Sequence, residues 1–232
     1  DFTIKAYGQP GNDECVDAVV LAPPVVGGSA TTVTSSTFAS AVDTDGGCST
    51  GTRRVVVWYK VTPTVTSTLV ASTANTVNTT FDTRLTVFSG STCGTKVCEV
   101  TNDNTAGKLS EVNWYATAGT TYYILVDGVL LSSGTQRRGI FTLDVTAITT
   151  VNNDHCSNAI PIVIGDRFTP VVNGSTNNAL TDNIGTCGLD VNDKVVWYSL
   201  TNGSSDQIIE VVTEYVSGTS FTPEIDILGG VC

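Results

Sequence analysis

A chain of 232 residues with a formal net charge of −11, a pI near 4.3 and only 14% charged residues must build most of its polar surface from Thr, Ser, Asn and Gly. Such a surface repels phosphate backbones and anionic headgroups, which excludes nucleic acid and argues against an anionic membrane face as partners. The longest apolar runs, such as residues 19–26 with Pro23 and Pro24 inside, fall far short of a bilayer span, so no membrane insertion is expected.

In chain order, Phe2, Ile4 and Ala6 alternate with Thr3 and Lys5, a period of two that reads as strand, and Gly8-Gln9-Pro10-Gly11 breaks it. Residues 15–21 fit a helical turn or a strand equally well. Residues 31–38 are a β-rich run of Thr and Val, and Asp43-Thr44-Asp45-Gly46-Gly47 is turn chemistry that delivers Cys48. Residues 55–61 are the most hydrophobic strand, with Val56, Trp58 and Lys60 on one face and Val55, Val57, Tyr59 and Val61 on the other. Both faces are substantially apolar, as a central strand requires. Further short runs at 69–72, 84–88, 96–100, 109–115, 122–126 and 140–148 are separated by Gly, Asn, Asp, Ser and Thr. No window carries a capped helical stripe. The expectation is an all-β sandwich of about eight or nine strands per domain.

The chain also repeats itself. Asn12-Asp13-Glu14-Cys15 returns 141 positions later as Asn153-Asp154-His155-Cys156. Ala18, Cys48, Val57-Trp58-Tyr59, Gly90 and Cys93 are echoed by Ala159, Cys187, Val196-Trp197-Tyr198, Gly230 and Cys232 at offsets between 139 and 141. Residues 1–6 look like the closing strand at 140–145. The expected organisation is therefore a closing strand of a preceding repeat at 1–8, a complete sandwich repeat at 9–149 and a second, truncated repeat at 150–232.

Seven cysteines, Cys15, Cys48, Cys93, Cys98, Cys156, Cys187 and Cys232, are expected to form disulfides, because a single His155 and a lone Cys-x4-Cys pair do not make a zinc site. The repeat suggests Cys15 with Cys48, Cys156 with Cys187, and Cys93 with Cys98, leaving Cys232 as the first half of a second small loop. Disulfides imply an oxidising, extracellular setting. Asn-x-Ser/Thr triplets at Asn78, Asn173 and Asn202 are candidate glycosylation sites.

Loop oxygens on an acidic extracellular domain suit calcium, and Asp13, Asp43, Asp82 and Asp103 are the principal candidate ligands, with Asp45 and Asn102 nearby. The same residues also cap turns. Trp58 and Trp197 occupy matching positions inside the most apolar strand and read as core, whereas Tyr59, Tyr115 and Tyr123 remain candidate surface rings for sugar stacking. His155 falls where the first copy has Glu14, and no Gly-x-Ser-x-Gly elbow accompanies it, so no catalytic residue is assigned.

Taken together, Asn-Asp-x-Cys-x-x-Ala, Cys48, the Val-Trp-Tyr strand, Phe81-Asp82-Thr83-Arg84-Leu85-Thr86-Val87-Phe88-Ser89-Gly90, Cys93 and Cys98, Asn102-Asp103 and residues 118–128 resemble the bacterial pre-peptidase C-terminal domain family. That resemblance implies tandem jelly-roll-like β-sandwiches that accompany other domains, serve attachment, matrix or carbohydrate contact and do not catalyse; related sandwiches hold calcium. The expected function is a non-catalytic structural or adhesive module of a long secreted or cell-surface glycoprotein. Its partners would be neighbouring repeats or identical subunits, assembling into a filament by strand addition. The alternative is a calcium-assisted carbohydrate-binding module attached to a secreted enzyme.

Overall fold

The computed structural model describes residues 4, 6–41, 48, 55–77, 81–105, 107–131, 135–162, 172–177, 179–180, 194–201, 211–213 and 225–229. The chain divides into two compact units, Asp1–Thr149 and Thr150–Cys232. In the N-terminal unit a turn of 3-10 helix, Cys15–Asp17, leads into β1 (Val19–Val20), so the ambiguous stretch at 15–21 is both helical turn and strand. Then follow β2 (Thr31–Ser36), β3 (Val56–Val61), β4 (Ser67–Ser72) and β5 (Thr83–Ser89). After a second 3-10 turn, Cys93–Thr95, come β6 (Val97–Asp103), β7 (Glu111–Ala116), β8 (Tyr122–Gly128) and β9 (Ile140–Ile148).

Strands β1-β3-β8-β5-β6 form one sheet and β2-β9-β4-β7 the other. Only β1 with β3 is parallel; the ladders among β2 to β9 are antiparallel. Successive strands alternate between the two sheets except for the β5–β6 hairpin, and in this order they form a jelly roll.

Between the sheets lies the main core: Val57, Tyr59, Val61, Leu85, Val87, Ile124 and Val126 meet Leu69, Ala71, Trp114, Phe141, Leu143 and Val145. A second apolar layer covers the outer face of the five-stranded sheet, where Val56, Trp58, Phe88, Tyr123 and Leu125 pack beneath Cys15, Ala18 and Cys48. This second layer explains why β3 is apolar on both faces and why Trp58 is fully buried. It also corrects two of the candidate surface rings. Tyr59 faces the main core and Tyr123 the outer layer, both buried, while Tyr115 on the edge strand β7 is half-buried.

The cysteines do not pair as the repeat suggested. Cys15 bonds Cys93 and Cys48 bonds Cys98, so the two bridges interleave. Cys98 stands opposite Phe88 beside a bulge in the β5–β6 ladder, and Cys93 lies on the 3-10 turn before β6. Each therefore reaches a different N-terminal segment crossing the outer layer instead of closing on its neighbour. Sequence separations of 78 and 50 remove much more unfolded-chain entropy than a four-residue loop would, about 4 kcal/mol per bridge in the chain-entropy account. Over Trp58 and Phe88 sits the Lys96 ammonium, 5.3 and 5.6 Å from the ring centroids, donating to the Cys93 carbonyl at 2.7 Å.

In the C-terminal unit a 3-10 turn, Cys156–Asn158, precedes β10 (Ile160–Ile162), which pairs in parallel with β11 (Tyr198–Leu200). Cys156 is disulfide-bonded, and the expected pairing with Cys187, like Cys232, lies outside the described residues. Trp197 is half-buried, and residues 211–213 and 225–228 belong to no strand.

Candidate functional site

Ser36, the last residue of β2, pairs with Ile140, the first of β9, and the Thr37 N–H donates to the Gly139 carbonyl. The turn after β2, the β8–β9 connection and the starts of β3, β5 and β7 therefore gather at one end of the jelly roll. Two groups of side chains meet the surface there.

The first is a charged row across the five-stranded sheet. Asp103, Arg84 and Asp127 stand at paired positions on β6, β5 and β8. Arg84 grips Asp127 with two donors, Nε to Oδ1 at 3.0 Å and Nη2 to Oδ2. Asp127 is fully buried, so this is a charge pair inside two otherwise apolar strands. Burial opposes the charge on Arg84, but the hydrogen bonds and charge of Asp127, with Asp103 adding, outweigh it and hold the guanidinium pKa above its ordinary value. Gln136 donates to the Gly128 carbonyl at 2.9 Å and stands 3.5 Å from Asp127, which ties down the β8–β9 connection. Gly128 is required there: a Cβ would sit 2.2 Å from the Arg137 carbonyl oxygen, and Arg137 returns a hydrogen bond to the Val129 carbonyl. Asp103 is exposed; burial and the neighbouring Asp82 raise its pKa against the pull of Arg84, with Asp127 adding to the rise.

The second group is aromatic. The Tyr7 ring stacks on Phe38, centroids 4.4 Å apart and planes at 29°. Beneath it, the Asp13 Oδ2 accepts from the Gln9 amide and from the Ala41 N–H, each at 2.7 Å.

The four calcium candidates are distributed between these features. Asp13 is a buried cap that joins its own loop, through Gln9, to the turn after β2, through the Ala41 N–H. Asp43 lies outside the described residues. Asp82 is half-buried, with Oδ1 enclosed and without a hydrogen-bond partner among the described residues, and Asp103 stands on the neighbouring strand across from Arg84. Among the described residues no group of three or more His, Cys, Asp or Glu side chains is arranged to hold a metal ion. Of the glycosylation candidates, Asn173 is exposed, while Asn78 and Asn202 lie outside the described residues.

Sequence reasoning missed both the Arg84–Asp127 pair and the Tyr7–Phe38 stack. The pair left half a signal, since Asp127 interrupts the apolar run that begins at Tyr122, whereas Arg84 lies between Thr83 and Leu85 in a mixed stretch. The stack left none, because it joins residues from two turns.

The two sheets and the interleaved bridges together define a disulfide-clasped jelly-roll module. Residues 11–135 match the T9SS-associated family described as galactose binding domain-like, and as that match spans more than half of the chain, the protein belongs to this family. The resemblance to the pre-peptidase C-terminal family is thereby supported only as far as the β-sandwich. No curated protein matches the chain. Among solved structures, a Yersinia pseudotuberculosis-derived mitogen is similar at 14% identity, covering 51% of this chain and 85% of that one with a TM-score of 0.33. The Aeromonas hydrophila PliG, a periplasmic inhibitor of g-type lysozyme, is similar at 15% identity, covering 56% and 97% with a TM-score of 0.34. Among the described residues no helix is long and apolar enough to cross a membrane.

Proposed function

We propose that this chain is a non-catalytic carbohydrate-binding module of a secreted protein, recognising glycans through the loop end of its N-terminal jelly roll. The observation that carries the reading is the galactose binding domain-like match over residues 11–135, which takes in both of the loop-end side-chain groups except Tyr7, Gln9 and Gln136. Concave or loop-built sites with a few fixed polar groups beside an apolar surface are the usual form of small-ligand recognition. Bridges of 78- and 50-residue separation support an extracellular setting. On this reading residues 9–149 form the complete module, 150–232 a second copy, and attachment to a glycan-bearing surface or matrix is the task of the whole protein.

Purified protein should bind galactose-containing saccharides on a glycan array, and the signal should survive chelation of divalent cations. Binding abolished by chelator would restore the calcium-assisted version. Silence across hexose, hexosamine and uronic-acid probes would remove the carbohydrate reading and leave the structural one, for which concentration-dependent filaments in light scattering and imaging are the positive result.

A further inference from the structure

The turn after β2 carries more than the fold needs, and the C-terminal unit shows how much the fold needs. Residues 36–41 read Ser-Thr-Phe-Ala-Ser-Ala, and residues 175–180 read Ser-Thr-Asn-Asn-Ala-Leu. The same hydrogen bonds hold both. Phe38 N–H donates to the Ser36 hydroxyl at 3.0 Å, and Asn177 N–H to the Ser175 hydroxyl at 3.1 Å. Ala41 N–H donates to Asp13 at 2.7 Å, and Leu180 N–H to Asp154 at 2.7 Å. Within that common frame, Phe38 stands where the other copy has an exposed Asn177, and Ser40 where it has the buried Ala179.

Neither the ring nor the hydroxyl is thus demanded by the turn. The ring recruits a second: Tyr7, from a stretch that belongs to no strand, lies over Phe38 and keeps 40% of its surface exposed. The Ser40 hydroxyl is enclosed and has no hydrogen-bond partner among the described residues. Between Phe38 and Ser40, Ala39 holds φ at 60°, a left-handed conformation that a residue with a Cβ adopts at a cost. A partly exposed stack of two rings beside a strained non-glycine residue marks a recognition surface.

We infer that the Tyr7–Phe38 stack is the platform on which the apolar C–H face of a pyranose ring lies, with the exposed Gln9 carboxamide beside it receiving its hydroxyls. A pyranose presents one face of C–H groups and an equatorial rim of hydroxyls, which matches a flat aromatic surface bordered by a carboxamide. Gln9 is oriented for this by Asp13, which takes one of its amide hydrogens and leaves Oε1 as an acceptor. Tyr115 is the competing ring, but it is half-buried on the edge strand of the other sheet. The platform rests on the carbohydrate-binding reading and belongs to the N-terminal unit, since Asn177 offers no ring.

The test is titration of the whole chain with galactose, lactose and a panel of hexose polysaccharides, using wild type, Tyr7→Ala, Tyr7→Phe, Phe38→Asn and Tyr115→Ala. Phe38→Asn installs the residue that the same turn already tolerates in the C-terminal unit, and Tyr7 is exposed, so melting temperatures should stay near wild type. Tyr7→Ala and Phe38→Asn are expected to weaken binding about tenfold, with Tyr7→Phe and Tyr115→Ala unchanged. Wild-type binding that survives both Tyr7→Ala and Phe38→Asn overturns the platform and leaves the carbohydrate reading standing. Loss on Tyr115→Ala alone moves the site to the other sheet and overturns it equally. No saccharide binding by wild type refutes the carbohydrate reading itself, and the platform with it.

Discussion

Two regions of this chain are tied by the same polar knot. In the N-terminal unit the Asn12 carboxamide donates to the Trp58 carbonyl at 2.8 Å, and the Trp58 N–H returns to the Asn12 carbonyl at 2.8 Å. In the C-terminal unit Asn153 and Trp197 exchange the same two bonds at 2.9 and 2.7 Å. An aspartate follows each asparagine and caps a distant turn, a 3-10 turn begins at the cysteine, and a short parallel strand pairs beside the tryptophan, Val19 with Tyr59 and Ile160 with Tyr198. The knot fixes where the N-terminal segment crosses the outer face of the sheet, which neither strand propensity nor burial alone would determine. What varies around it, Glu14 against His155, Phe38 against Asn177 and Ser40 against Ala179, is free to serve recognition because the frame does not depend on it.

The two tryptophan amides report separately on the two knots, so hydrogen exchange at Trp58 and Trp197 is the natural measurement for breaking the comparison. The largest effect should come from Cys15→Ser with Cys93→Ser. Losing the bridge across 78 residues should cost the N-terminal unit about 4 kcal/mol, and Trp58 exchange should accelerate by orders of magnitude while Trp197 is unaffected. Equal acceleration at both would mean that the units unfold as one.

Next in size is Asp127→Ala. Arg84 would keep a charge whose only bidentate partner in the described contacts is gone, inside a sheet covered on both faces. Breaking a buried pair from one side costs about 3–5 kcal/mol. Exchange should rise at Trp58 and at the Gly128 end of β8, again sparing Trp197. A variant within about 0.5 kcal/mol of wild type would show that water reaches the guanidinium.

How much of this was legible beforehand follows from what each signal encodes. Short apolar runs separated by Gly, Asn, Asp, Ser and Thr located the strands of the N-terminal unit, with residues 140–148 bounded as observed, whereas the alternation at residues 2–6 misled, since Ile4 and Ala6 belong to no strand. The repeat of Asn-Asp-x-Cys marked the knot without revealing that Asn12 bonds to Trp58, since a contact across 46 positions has no local trace. The same blindness misassigned the bridges. Repeat spacing favoured sequence neighbours, whereas Cys93 and Cys98 are held on a turn and a strand that face different crossing segments. Tyr123 was misjudged because a jelly roll is normally covered on one face of each sheet, and here the disulfide clasp adds a second apolar layer; Tyr59 shares the inner face with Val57 and Val61, and its phenol was given too much weight against that alternation.

A smaller effect separates the knots themselves. Asn12→Ala removes a buried hydrogen bond and leaves the Trp58 carbonyl without that donor, a loss of about 1–2 kcal/mol. The bond from Asn153 is only partly buried, so water can replace it and Asn153→Ala should cost less. Exchange at Trp58 and Trp197, each in its own variant, measures the difference directly. Equal costs would show that the two environments are alike despite their different burial.

The smallest effect should be a gain. Burial first, then the charge of Asp82, raise the Asp103 pKa against the attraction of Arg84, and Asp127 adds to the rise. A carboxyl whose folded pKa lies above its unfolded value favours folding below the unfolded pKa, and that contribution is lost as pH rises through the folded value. At pH 7 the charged Asp103 therefore works against the fold, while at pH 3 it is neutral in both states. Asp103→Asn should raise the melting temperature of the N-terminal unit slightly at pH 7, slow Trp58 exchange there, and change neither at pH 3. A loss of stability at pH 7 would mean that the attraction between Asp103 and Arg84 outweighs the repulsion from Asp82, which would make the charged row a stabilising network in which Asp103 is a full member.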